Sequence, residues 1–210
     1  KALDGAGTRH VGAGENRDQA ERLEILEVHG KRIGFLGTSR VYMSADWAAG
    51  PDHPGVFSTY DPARALEAIK TARGQCDYLV VYVHWGVERE TEPKDYQRAM
   101  GRQYIDAGAD LVIGSHPHVL QPIGYQGDVP VVYSLGNYLF NSKTLDSCLV
   151  EAVIGDEGLE SLRFIPAKQS NCRVAKAEGA EKERIINYMR SISPEAVIDD
   201  EGYITKQNAQ

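Results

Sequence analysis

The sequence predicts an α/β fold, and three observations carry that prediction. Two apolar runs, Asp77-Tyr78-Leu79-Val80-Val81-Tyr82-Val83 and Ala109-Asp110-Leu111-Val112-Ile113, have the composition of buried strands. Each follows a segment with helical apolar spacing, as expected of helix-to-strand units. The later apolar runs alternate across short turns and read as hairpins that add antiparallel edges.

Taken in order, Lys1-Ala2-Leu3-Asp4 reads as the end of a helix, followed by the turn Gly5-Ala6-Gly7. His10-Val11-Gly12-Ala13-Gly14-Glu15-Asn16 leads to a short helix near 17–21, and its glycines do not follow the G-x-G-x-x-G spacing of a dinucleotide site. Residues 23–28 and 32–37 pair through His29-Gly30-Lys31. Gly50-Pro51-Asp52-His53-Pro54-Gly55 is a loop by composition. Asp61-Pro62 supplies a cap and a first helical residue for a helix with Ala65, Leu66, Ile69 and Ala72 inside. A second helix runs from Pro93 to Ala107 with Tyr96, Met100, Tyr104 and Ile105 as its buried stripe, and Gly108 stops it. Residues 130–134 form a short strand, 147–154 and 159–165 a hairpin, and about 181–191 a last helix. From Pro194 the chain reads as a polar tail.

With 210 residues, 42% hydrophobic and 25% charged, the chain is long enough for one full core or one core plus an extension. The net charge of −7 and a pI near 5.4 exclude duplex nucleic acid as an expected partner. They also require that any bound anion be held by a metal or by particular cations. No apolar run approaches the ~18 residues of a membrane span. No signal peptide is visible; the sequence lacks an initiator Met and reads as a fragment. Cys76, Cys148 and Cys172 have no C-x-x-C spacing and read as structural thiols.

The chemistry-bearing residues lie at the strand ends. In Gly114-Ser115-His116-Pro117-His118, proline is expected to hold His116 extended, so that the two imidazoles project to one side. His84 ends the other strand. Imidazoles gathered from separate strands, rather than a compact cysteine module, point to a catalytic-type site for Zn, Mn or Fe. Such a site activates water and polarises a phosphoryl or acyl oxygen. Glu88 fits an acid/base role or a buttress for an imidazole, and Asn137 a contact to the site. The plainer alternatives are a His-x-His that bonds only backbone, a solvated Glu88 and a turn-forming Asn137. Trp85 and Tyr138 read as core or wall, and His10, His29 and His53 as surface.

The ordered set His84-Trp85-Gly86-Val87-Glu88, Gln97, Asp106-Ala107-Gly108-Ala109-Asp110, Gly114-Ser115-His116-Pro117-His118-Val119-Leu120-Gln121-Pro122 and Tyr133-Ser134-Leu135-Gly136-Asn137-Tyr138 resembles the CapA or PgsA poly-γ-glutamate capsule biosynthesis proteins. The resemblance spans about residues 1–165. It implies a calcineurin-like metallophosphoesterase scaffold, a sandwich of two mixed β-sheets flanked by helices and holding divalent metal ions. His84, His116 and His118 match its imidazole ligands, and Glu88 matches a position near the site. The ligands expected ahead of these would precede residue 1, so the resemblance implies a sandwich incomplete at its N-terminus and a half-site of three imidazoles. The expected domains are 1–165, the partial metallophosphoesterase-fold domain, and 166–210, an extension with one helix. The implied function is capsule poly-γ-glutamate biosynthesis or export at the extracellular face of a bacterial membrane. The implied partners are the polymer or its synthesis machinery, with the membrane reached only through a preceding N-terminal segment. A metal-dependent hydrolase of a phosphoester or γ-glutamyl amide and a non-catalytic polymer-binding or assembly module are the alternatives.

Overall fold

In the computed structural model, which describes residues 2–140 and 143–208, two helices open the chain, α1 (Ala2–Gly5) and α2 (Arg17–Ala20), with the two-residue strand β1 (Ala13–Gly14) between them. The segment Lys1-Ala2-Leu3-Asp4, expected to be the end of a helix, is helical over Ala2–Gly5, and Lys1 lies outside the described residues. Asn16 caps α2 by accepting from the Gln19 N–H at 3.0 Å. β2 (Glu24–Val28) and β3 (Lys31–Ser39) form the predicted antiparallel hairpin. Its turn places His29 and Gly30 at φ 50° and 79°, the left-handed pair that matches strand twist.

The loop expected at 50–55 does contribute a strand, β4 (Gly55–Val56), which pairs with β1. α3 (Ala63–Arg73) starts as predicted: Asp61 Oδ1 accepts from the Ala63 N–H at 3.0 Å, and Ala65, Ile69 and Ala72 are buried. β5 (Tyr78–His84) runs parallel to β3, with Ser39 opposite His84. α4 (Asp95–Asp106) follows, then β6 (Leu111–Ser115). The buried face of α4 carries Gln97, Met100 and Tyr104, whereas Tyr96 and Ile105 are only half-buried.

Beyond β6 come β7 (Ile123–Gln126) and β8 (Val129–Val132), then the long hairpin β9 (Leu145–Gly155) and β10 (Gly158–Ser170). β11 (Arg173–Lys176), α5 (Gly179–Ile192), β12 (Ala196–Ile198) and β13 (Tyr203–Lys206) complete the chain. The expected polar tail is therefore structured. Its alternation is short, but Ala196, Ile198 and Ile204 are buried, and β13 gains ladder bonds on both sides, to β10 and β12.

Two compact units result, residues Lys1–Trp85 with Ala99–Val112, and Gly86–Arg98 with Ile113–Gln210. The first carries the order β2-β3-β5 and the start of β6. Asp110 fixes its register, its carboxylate accepting from the Leu79 N–H at 2.7 Å. Leu36, Ile69, Leu79, Val81, Trp85 and Tyr104 fill its interior. The second unit carries the end of β6, then β8 and β7, and a five-stranded sheet centred on β10. β9 pairs along one edge of β10; β13 and then β11 share the other. Phe164 and Leu162 of β10 and Ile185, Ile186 and Met189 of α5 are buried there. The position 165/166 falls inside β10, so the residues that follow complete this sheet. The predicted α/β class with flanking helices is the observed one; β2–β3–β5 is mixed, antiparallel then parallel, while the five-stranded sheet is antiparallel throughout. Among the described residues no helix is long and apolar enough to cross a membrane.

Candidate functional site at the carboxyl end of β6

β6 delivers the chain to a turn in which His116 and His118 adopt φ of 102° and 61°. Extended backbone at His116 is thus not what the structure shows. Pro117 is buried, and the chain bends around it rather than running straight. Positive φ in two non-glycine residues costs on the order of 1–3 kcal/mol each, and such conformations persist where surrounding contacts over-determine them. Here the contacts are evident. Pro117 lies against Gly86, where an added Cβ would come within 2.8 Å of Pro117 Cγ. The Pro117 carbonyl accepts from the Arg89 N–H at 2.7 Å.

The bend still brings the two rings close, with centroids 5.8 Å apart and tilted by 52°. His118 Nδ1 lies 2.6 Å from Asn137 Oδ1. An amide oxygen at that distance requires a proton on Nδ1, which leaves the Nε2 lone pair for another partner. Asn137, only 6% exposed, is presented by Gly136 at φ 70°. A Cβ at Gly136 would meet the Asp146 carbonyl at 3.0 Å, so the backbone passes too close for a side chain. The Phe140 ring lies 4.7 Å from that of His118, and its backbone N–H donates to Gln169 Oε1 at 2.8 Å. Burial, and then the neighbouring His118, push the His116 imidazole below its ordinary pKa, while Glu88 pulls it the other way. The neutral ring is the form that ligates metals.

The other predicted residues are placed as follows. Glu88 is exposed on the loop after β5, in the same unit as His116, and acts on it electrostatically. His84 is half-buried at the end of β5 in the first unit, its carbonyl accepting from the Arg40 N–H at 2.8 Å. Trp85 is fully buried, as predicted, and Tyr138 is 47% exposed. Cys76 and Cys148 are buried, but Cys172 is exposed and does not fit a structural thiol. The sequence reading gave no role to Phe140 or Gln169. Phe140 belongs to the exposed apolar run Tyr138-Leu139-Phe140, an unusual composition for a surface loop that was the available signal.

Among the described residues no three His, Cys, Asp or Glu side chains gather as a complete cation cage. The histidine pair meets one condition for sharing a cation, that of ring separation. With a metal–nitrogen bond of about 2.1 Å a ring centroid lies about 3 Å from the ion, so two rings on one ion fall within roughly 6.5 Å. The observed pair meets that limit. Asn137 supplies the outer hydrogen bond that such a ligand imidazole needs.

These features define an α/β protein with a histidine–asparagine centre at a strand terminus. The family model for the bacterial capsule synthesis protein PGA_cap matches residues 1–142. The chain belongs to that family. It is 35% identical over 173 residues to the capsule biosynthesis protein CapA of Bacillus anthracis, covering 79% of this chain and 42% of that protein. It is 36% identical over 160 residues to the PGA biosynthesis protein CapA of Bacillus subtilis, covering 74% and 42%. A probable polyglutamine synthesis accessory protein of Mycobacterium tuberculosis is 29% identical over 214 residues, covering 91% and 56%. The chain thus spans about two-fifths of the length of the two Bacillus relatives. Among solved structures, the sulfate thiohydrolase SoxB of Thermus thermophilus aligns with a TM-score of 0.44 at 19% identity, over 80% of this chain and 28% of that one. The NAD nucleotidase of Haemophilus influenzae aligns at 0.34 and 10%, over 94% and 37%. Likeness at that level says nothing about activity.

Proposed function

We propose that this chain forms part of a poly-γ-glutamate capsule biosynthesis factor built around a divalent-cation centre. In this reading His116 and His118 hold the ion through imidazole nitrogens, and the sequence pattern adds His84 as a third ligand. Asn137 keeps His118 in the tautomer that offers Nε2. Glu88 holds or moves a proton beside the centre. A bound Mn, Fe or Zn ion supplies Lewis acidity toward a phosphoryl or acyl oxygen. The partners are the anionic polymer or the machinery that makes it, at the extracellular face of the membrane, with anchorage through a segment outside this sequence. The relatives' capsule-synthesis names and the ordered motifs support the biological setting.

The observation that carries the cation centre is the 2.6 Å contact between His118 Nδ1 and Asn137 Oδ1 beside a histidine at φ 102°. A histidine that merely packed would need neither the strained turn nor a buried amide fixing its proton. The test is calorimetric titration of the metal-stripped protein with Zn²⁺ and with Mn²⁺, on the wild type and on His116→Ala and His118→Ala. Binding that both substitutions abolish, with circular dichroism unchanged, supports the centre; equal binding in all three proteins ends it. Capsule assembly by the full-length protein carrying His116→Ala then separates the biological roles. Loss of assembly together with loss of phosphoester or γ-glutamyl amide turnover marks a hydrolase. Loss of assembly where the wild type shows no turnover marks a factor, and unaltered assembly marks a module that uses the histidines for structure.

A further inference from the structure

Two glutamines in the second unit, Gln97 of α4 and Gln121 in the segment after the histidine turn, are fully buried. Burying an amide is unfavourable unless its bonds are made, so the partners of such a pair reveal its purpose. Gln97 Nε2 donates to Gln121 Oε1 at 3.0 Å, joining the two side chains. Their remaining groups go to backbone. Gln97 Oε1 accepts from the Lys94 N–H at 2.9 Å, and Gln121 Nε2 donates to the Glu90 carbonyl at 2.8 Å. Both of these backbone groups belong to the segment that follows β5 and bears Glu88.

The same segment is tied down at its start. The Tyr96 hydroxyl accepts from the Gly86 N–H at 2.7 Å and donates to the Gly86 carbonyl at 3.0 Å. Gly86, at φ 96°, has no room for a Cβ: Pro117 Cγ would lie 2.8 Å away and the Gln97 amide 3.1 Å away. Arg89 adopts φ 64° and donates its N–H to the Pro117 carbonyl. A charged, exposed loop is ordinarily the most mobile part of a fold. This one is bonded to the His-Pro-His turn through the Arg89 N–H and, three residues beyond that turn, to the buried Gln121 amide, which Gln97 holds in turn. An apolar pair of the same size would fill the interior equally well but could not hold backbone at Lys94 and Glu90.

We infer that Gln97 and Gln121 are positioning residues: they clamp the Glu88 loop onto the histidine turn and so fix the Glu88 carboxylate relative to His116. What Glu88 does there rests on the function proposed above; the clamp does not.

The test therefore has one readout that needs no metal. Amide hydrogen exchange is followed by NMR in the wild type, Gln121→Met and Gln121→Glu, with Leu162→Ala of the β10 sheet as a destabilised control. The Arg89 N–H reports the clamp. The Phe164 N–H, bonded to the Gly202 carbonyl, reports the rest of the unit. Gln121→Met removes both bonds, and Gln121→Glu keeps an acceptor for Gln97 but loses the donation to Glu90. The expected result in both is exchange at Arg89 faster by about fivefold or more than any change at Phe164. In Leu162→Ala the two amides should accelerate alike or Phe164 more. Equal acceleration of the two amides in the Gln121 variants, or none at Arg89, overturns the inference. Zn²⁺ affinity gives the second readout, with a loss of about tenfold expected in Gln121→Met and none in Leu162→Ala. If the wild type takes up no metal, the proposed cation centre fails and the exchange result alone decides the clamp.

Discussion

Truncating Asn137 to alanine separates a side chain that braces a turn from one that prepares a ligand. The bond lost is that between the His118 Nδ1–H and Asn137 Oδ1. An intramolecular hydrogen bond contributes about 1 kcal/mol net, and more if its partner is left buried and unsatisfied. His118 is only half-buried and the truncation opens room for water, so the cost should stay near that lower figure. For a chain of this length a loss of about 1 kcal/mol lowers the midpoint of thermal unfolding by about 2–4 °C. The effect on cation affinity should be larger, because without its acceptor the imidazole populates both tautomers and rotates. Loss of such an outer hydrogen bond costs ten- to a hundredfold, or about 1.4–2.8 kcal/mol. Thermal unfolding of the metal-free protein and calorimetric Zn²⁺ titration measure the two quantities separately. Asn137→Asp, which keeps an oxygen facing the ring, should retain the affinity. An Asn137→Ala protein that binds Zn²⁺ within twofold of wild type while losing stability would refute the tautomer argument.

Other expectations test the frame around the site. Gly86→Ala places a Cβ against Pro117 and on positive φ, and should destabilise by about 2–4 kcal/mol in urea unfolding; a change under about 0.5 would show that the loop yields freely. Phe164→Ala, at a fully buried position on β10, should cost about 3–5 kcal/mol, with loss of less than 1 pointing to a core elsewhere. Hydrogen bonds from Arg184 and then Lys168 lower the Glu181 carboxyl to about 2. Because the folded value is the depressed one, this stabilisation is full above the unfolded carboxyl range and disappears as pH falls toward 2. The stability difference between wild type and Glu181→Gln should accordingly shrink over that window and in high salt. Burial pushes the Cys76 and Cys148 thiols up, whereas Cys172 is exposed. A thiol reagent should modify one cysteine rapidly in the native protein, and the substitution Cys172→Ser should abolish that phase.

The sequence by itself determined the elements whose signal is local. The β2–β3 hairpin, α3 with its Asp61-Pro62 start, β5, β6 and the β9–β10 hairpin all follow from side-chain period, caps and turn residues within a few positions. The order of motifs along the chain also determined the family, since spacing between His84, the His-Pro-His run and Asn137 needs no coordinates to be read. Tertiary structure decided what depends on distant partners. β12 and β13 are too short to stand out in a stretch that is polar around them, and they exist because β13 pairs with an edge of β10 and β12 then pairs with β13. The stripe on α4 was read correctly at Met100 and Tyr104, but Gln97, polar and unpromising by hydropathy, is buried beside them, with Gln121 lying 24 positions later to bond it. At the site, sequence named His116, His118, Asn137 and Glu88 but gave the wrong backbone to His116. A proline's local preference for an extended predecessor is worth only a few kcal/mol at most, and the packing of Pro117 on Gly86 with the Arg89 bond to its carbonyl outweighs it. Chemistry was legible because it lies in residue types; the geometry that orients it was not, because it comes from contacts between segments far apart in the chain.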